Sequence, residues 1–261
     1  MRRVLLGLYA YFEFFLMAVL FVLPMALVAL FSKKDPGMRV RGQWMRRFGR
    51  TTSTLNPLWK FRVEGPKPAG IDTEAFVVVA NHQSTADPFL LSSLPWDMRW
   101  ISKEELFKLP LIGWLMRAGG DIALRRGERA SVEQMFQECH KTLKAGVSVM
   151  IFPEGTRSPD GKIQAFKDGA FQLAIEAQRP LLPLAVYGTR ACRPKGSLWF
   201  GEARAVVKVL EPVPTTGLTL ADLPRLKEQV RERIVAAFEQ LEREATQPAA
   251  ELAPTGAVST T

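Results

Sequence analysis

The chain changes texture along its length. Residues 4–31 are apolar at nearly every position, with one charge, Glu13. At about 1.5 Å per residue a helix of that length reaches roughly 40 Å, more than a hydrocarbon core of about 30 Å. A membrane helix is expected, kinked at Pro24 in a way that lipid-embedded helices tolerate. A soluble core helix is rarely apolar on every side for so many turns. A cleaved signal would need a shorter run and a small-residue site before Ser32. Residues 38–55 then mix Val40, Trp44, Met45 and Phe48 with arginines, which suits a second helix lying at the headgroups. The expectation is an N-terminal membrane-anchoring helix or two-helix hairpin. The pattern leaves open a full span and a hairpin dipping into one leaflet.

After Gly65-Pro66-Lys67-Pro68, short apolar runs alternate with helical patterns. The spacing predicts strands over 76–80, 99–101, 121–124, 148–152, 181–187 and 204–210. It predicts helices over 88–94, 105–118, 130–145, 168–177 and 223–243. Such alternation implies an α/β fold with a mostly parallel sheet flanked by helices. Three segments are expected: an anchor and basic stretch over 1–62, a catalytic domain over 63–245, and a disordered tail over 246–261.

At 261 residues and 47% hydrophobic, the chain can bury one good-sized core. Two cysteines, Cys139 and Cys192, exclude a disulfide framework and a Cys-rich zinc site. The net charge of +9 is local: residues 33–62 hold nine bases and one acid, and residues 63–261 sum to zero. Bases placed directly behind a greasy segment point to phospholipid headgroups rather than nucleic acid. The positive-inside bias puts the body of the chain on the cytoplasmic face of an inner or cytoplasmic membrane.

Two segments carry chemistry. Asn81-His82-Gln83-Ser84-Thr85-Ala86-Asp87-Pro88 follows the strand predicted over 76–80. His82 and Asp87 can meet only if the chain turns between them, since five residues put them on different sides of a helix or strand. A strand end and an Asp-Pro helix start supply that turn. His82 then sits at the carboxyl end of a strand, where open α/β sheets bind ligands. The plainer alternative is that Asp87 caps a helix and His82 is a polar loop residue. The second segment, Phe152-Pro153-Glu154-Gly155-Thr156-Arg157-Ser158, also follows a strand. Glu154, Arg157 and the N–H groups around Gly155 form a polar, anion-accepting rim, or else a solvated turn.

Together the two segments resemble the signature blocks of the PlsC-type glycerolipid acyltransferases, in that family's order and over roughly residues 76–187. Ser102-Lys103-Glu104-Glu105-Leu106 resembles an intermediate block, and Arg125 matches its arginine, although Ile122 and Leu124 stand where the family has an aromatic and an acid. Phe166-Lys167-Asp168-Gly169-Ala170 and Leu182-Pro183-Leu184 resemble later blocks. The resemblance implies transfer of a fatty acyl group from acyl-CoA or acyl-ACP to the 2-hydroxyl of 1-acyl-sn-glycerol-3-phosphate (lysophosphatidate), giving phosphatidate. It implies His82 as base, oriented by Asp87. It also implies an acceptor and phosphate site of Lys103, Arg125, Glu154, Gly155, Thr156 and Arg157. Neither a cofactor nor a metal is expected; the partners are a phospholipid membrane and the two substrates. The alternatives are another acceptor, such as a lyso-ornithine lipid, a non-catalytic lipid-binding relative, and a thioesterase. Cys139 and His140 are adjacent on a predicted helix and so diverge, which argues against a thiol–imidazole pair.

Overall fold

Val77-Val78-Val79-Ala80 is buried at every position, as expected of an interior strand covered on both faces. Alternate residues of this strand, β2 (Val77–Ala80), enter two different cores. Val77 and Val79 share a core with Phe171, Leu173 and Ile234 on one side, while Val78 and Ala80 share one with Leu90, Trp100 and Leu184 on the other. The computed structural model describes residues 2–35, 37–193, 197 and 199–246. The expected tail lies outside these residues, apart from its first residue, Thr246.

Seven strands form one sheet in the order β1-β7-β6-β2-β5-β3-β4. The others are β1 (Trp59–Glu64), β3 (Met98–Lys103), β4 (Ile122–Leu124), β5 (Ser148–Ile151), β6 (Leu181–Tyr187) and β7 (Ala203–Val209). Among the strand pairings of the described residues only β6–β7 is antiparallel, so five adjacent strands, from β6 to β4, run in one direction. β1 pairs parallel with β7 at the far edge. β1 begins inside the segment expected to be basic and interfacial, and the boundary expected after residue 62 falls within this strand. Helices α5 (Arg129–Lys144), α6 (Gly169–Ala177) and α7 (Leu223–Thr246) contribute to the first core, and the short α3 (Asp87–Leu91) to the second.

The helix expected over 105–118 is broken. A 3-10 turn covers Glu104–Lys108, and α4 (Ile112–Ala118) starts afresh. Pro110 has no N–H to continue a helix, and Leu111 takes φ 60°, outside the helical region.

α1 (Arg2–Phe31) and α2 (Arg39–Leu55) form a hairpin packed on the domain. The inner face of α1 is buried: Ala10, Glu13, Ala18 and Met25 are at most 3% exposed. Phe14 touches Phe48 and Phe89, and Phe21 touches Trp44 and Phe48. Small residues allow the approach; a Cβ on Gly7 would stand 2.6 Å from the Trp199 ring. The outer face is an unbroken apolar stripe at helical spacing, through Leu5, Leu8, Phe12, Leu16, Val19, Leu23, Leu27 and Leu30. α1 is long and apolar enough to cross a membrane. The single charge of its apolar stretch Val4–Phe31, Glu13, faces the protein rather than the outer stripe.

Candidate active site

The residues expected to form the site lie at one end of the sheet, because five adjacent parallel strands end there. His82 follows β2, Glu154 to Arg157 follow β5, Lys103 closes β3, and Arg125 follows β4. Lys103 and Leu124 are register partners across β3 and β4, which brings Arg125 beside the lysine's strand.

His82 is clamped by its main chain. Its N–H donates to Glu154 Oε1 at 2.7 Å, and its carbonyl accepts from the Ser158 N–H at 2.9 Å. The ring stacks on Phe152, with centroids 4.0 Å apart and planes 16° from parallel. His82 Nδ1 lies 2.7 Å from Asp87 Oδ2. That same oxygen accepts the N–H groups of Gln83 at 2.8 Å and Ser84 at 3.0 Å. An oxygen that already accepts two main-chain N–H groups meets the ring as a further acceptor, so Nδ1 is the donor in this contact and Nε2 keeps its lone pair. Nε2 has no partner among the described residues, and the His82 side chain stays 15% exposed.

Asp87 was open to reading as a helix cap. It is instead the first residue of α3, Ala86 occupies the cap position, and the carboxylate reaches back to the turn. Asp87 is fully buried. Its second oxygen, Oδ1, accepts the Thr189 hydroxyl. Thr189 was missed in the sequence. It is also fully buried, 102 residues further on, in the turn after β6. Only the strand order, with β6 beside β2, brings it to Asp87. Asn81 reinforces that neighbour by bonding both the N–H and the carbonyl of Val186 on β6.

Glu154 is 4% exposed and braces two loops, accepting His82 N–H with one oxygen and Gln164 N–H, at 2.9 Å, with the other. Burial pushes its pKa up, and the two N–H donors pull it back. Gly155 takes φ 70°, and a Cβ there would come within 2.9 Å of Lys167 Nζ. Lys167 thus joins the rim. Lys103 and Arg157 also stand there, and none of these three cations is paired with a carboxylate among the described residues. Arg125 differs: both Glu104 oxygens, at 2.7 and 2.9 Å, and Glu128 hold its guanidinium, raising its pKa. Thr156 is exposed on the same turn. The arrangement offers an oriented imidazole base next to uncancelled positive charge.

Cys139 is buried, with its thiol pushed up to about 12 by desolvation. The adjacent His140 points elsewhere and meets Glu176 at 3.2 Å. Among the described residues no group of three or more His, Cys, Asp or Glu is placed to hold a metal ion.

A family model described as Acyltransferase matches residues 60–187. The chloroplastic 1-acyl-sn-glycerol-3-phosphate acyltransferase LPAT1 of Arabidopsis thaliana is 36% identical over 157 residues, covering 59% of this chain and 44% of that protein. The alpha 1-acyl-sn-glycerol-3-phosphate acyltransferase of Homo sapiens is 34% identical over 171 residues, covering 65% and 60%. This chain thus spans about half the length of the plant relatives it matches. The crystal structure of the 1-acyl-sn-glycerophosphate (LPA) acyltransferase PlsC from Thermotoga maritima superposes with a TM-score of 0.75 at 32% identity. That match covers 92% of this chain and 96% of that one.

Proposed function

This chain belongs to the PlsC-type glycerolipid acyltransferase family, and on that footing we propose that it acylates the 2-hydroxyl of 1-acyl-sn-glycerol-3-phosphate to give phosphatidate. The observation that carries the reading is the 2.7 Å contact of His82 Nδ1 with a buried Asp87, which leaves Nε2 free beside a cationic rim. The donor is an acyl thioester, carried on CoA or on acyl carrier protein.

A hydroxyl is a poor nucleophile at neutral pH. His82 Nε2 takes its proton as the oxygen attacks the thioester carbonyl, and a tetrahedral oxyanion forms. Collapse breaks the carbon–sulfur bond, and the imidazolium returns its proton to the departing thiolate. Neutral His82 is regenerated, and no metal or covalent acyl-enzyme enters the scheme. General-base help of this kind is worth about 10²–10⁴ in rate. Asp87 holds the tautomer and stabilises the imidazolium. Lys103 and Arg157, with Lys167, receive the acceptor phosphate, and Arg157 offers two parallel donors. Glu154 and Gly155 shape the turn on which the glycerol rests, Thr156 lies exposed beside it, and Arg125 joins the phosphate only by exchanging Glu104.

The insoluble acceptor fits the anchor. The inner face of α1 packs on the domain while its outer stripe is bare, so we place α1 in one leaflet, on the cytoplasmic side, with the site at the membrane surface. A full span would draw α2, α4 and Phe89 into the bilayer with it.

An acceptor panel tests the substrate. Purified protein should prefer lysophosphatidate over a lysolipid lacking a phosphomonoester. Arg157→Gln should lower kcat/KM for lysophosphatidate about 10- to 100-fold, the cost of a charge-assisted bond, and affect the phosphate-free acceptor much less. Equal use of both acceptors by the unmodified protein overturns the assignment.

A further inference from the structure

A pocket of about 320 Å³ opens at the amino end of the sheet, away from the catalytic rim. Asp97, which immediately precedes β3, and Ser148, the first residue of β5, line it. His82 lies beyond the opposite end of these strands. At about 3.3 Å per residue, that separates pocket and imidazole by roughly 15 Å.

One face of α2 forms the pocket wall. Arg39, Gln43, Arg46 and Arg50 recur at the helical period, with Arg47 beside them. Arg46 is 7% exposed, pairs with Asp121 at 2.9 Å and lies over the Trp100 ring, yet its Nε has no partner. Of the two acids of the lining, Asp72 pairs with Lys67, and Asp97 pairs with Arg99 through Oδ2 while its buried Oδ1 has no hydrogen-bond partner among the described residues. Arg39 donates to the Gly146 carbonyl at 2.7 Å, Arg50 to the Ser93 carbonyl at 3.0 Å, and Arg47 lies 5.1 Å from the Trp44 ring centroid. Among the described residues no carboxylate neutralises any of these three. Carbonyl contacts fix a guanidinium without cancelling its charge, and each fork keeps further N–H donors for a ligand. Prepositioned forks around a concavity match the oxygens of a phosphate ester. α2 carries this pocket on one face, and its Trp44 and Phe48 meet Phe21 of α1 on another. The pocket is therefore carried by the helix that packs against the apolar α1.

We propose that this pocket binds the phosphate of an anionic phospholipid headgroup, as a second lipid site apart from the catalytic rim. It fixes the orientation of the domain on a charged membrane. Diffuse attraction depends on net charge alone, whereas a forked site depends on guanidinium geometry, and the test exploits that difference. Full-length protein and an Arg47→Lys/Arg50→Lys variant, matched for thermal unfolding, are sedimented with phosphatidylcholine vesicles with and without phosphatidylglycerol. The variant should bind the anionic vesicles about tenfold more weakly, bind neutral vesicles as the parent does, and keep full transfer on detergent-dispersed substrates. Equal binding of anionic vesicles by both proteins overturns the site. A calorimetric site for inorganic phosphate that the variant loses, with vesicle binding unchanged, assigns the pocket to a soluble anion and overturns the lipid reading.

Discussion

The carboxylate of Asp87 reaches His82 with one oxygen while Thr189 holds the other, so the imidazole's aim depends on a hydroxyl that never meets substrate. Thr189→Val keeps the shape and removes the donor. It should lower kcat about 10- to 100-fold with little change in KM, and Thr189→Ser should restore most of the rate. Steady-state kinetics of the two variants check this, and a valine enzyme with unchanged kcat removes Thr189 from the relay. The two cysteines offer a contrasting expectation. Both are fully buried, and desolvation holds both thiols well above the ordinary range. A thiol pushed up stays protonated at pH 8 and is unreactive. Iodoacetamide at pH 8 should therefore label neither in the folded protein, leaving transfer intact, and should label both in denaturant. Mass spectrometry reads the outcome.

Among the elements, the hairpin of α1 and α2 is held by Arg99, 1% exposed, whose guanidinium donates to the carbonyls of Gly37 and Met38 at 2.7 Å each and pairs with Asp97. Gly42 leaves room for it: a Cβ there would stand 1.9 Å from a guanidinium nitrogen. Gly42→Ala should cost about 1–3 kcal/mol by overpacking, read by thermal or denaturant unfolding. The strands around the site were legible because buried runs such as 148–152 and 181–187 admit few other readings. The His82–Asp87 approach was legible because a strand end and Pro88 force a turn. β1 was not, although Trp59-Lys60-Phe61-Arg62-Val63-Glu64 alternates with period two, because its bases continued a charged run. Thr189 was invisible because its position depends on which strand lies beside β2. Nor could sequence divide α1 into two faces. It is apolar all round, and only packing shows that one side meets protein.

The whole molecule joins an exposed apolar stripe on α1, a basic pocket beside α2 and a cationic rim at the opposite end of the sheet. Leu23, 66% exposed, lies on the outer stripe. Leu23→Asp should leave unfolding unchanged and weaken vesicle binding about tenfold or more, because one apolar contact is lost and one charge must be kept out of the acyl region. Unchanged vesicle binding means that the stripe does not enter lipid. The proposed role of His82 as the base for acyl transfer to lysophosphatidate is tested in one assay. Purified protein is given a labelled acyl thioester and lysophosphatidate, and phosphatidate is counted by mass spectrometry beside a folded His82→Ala variant. The expected result is phosphatidate from the parent and a loss of about 10³-fold or more in the variant. Substantial phosphatidate from His82→Ala, or thiol release from the parent without phosphatidate, would contradict it.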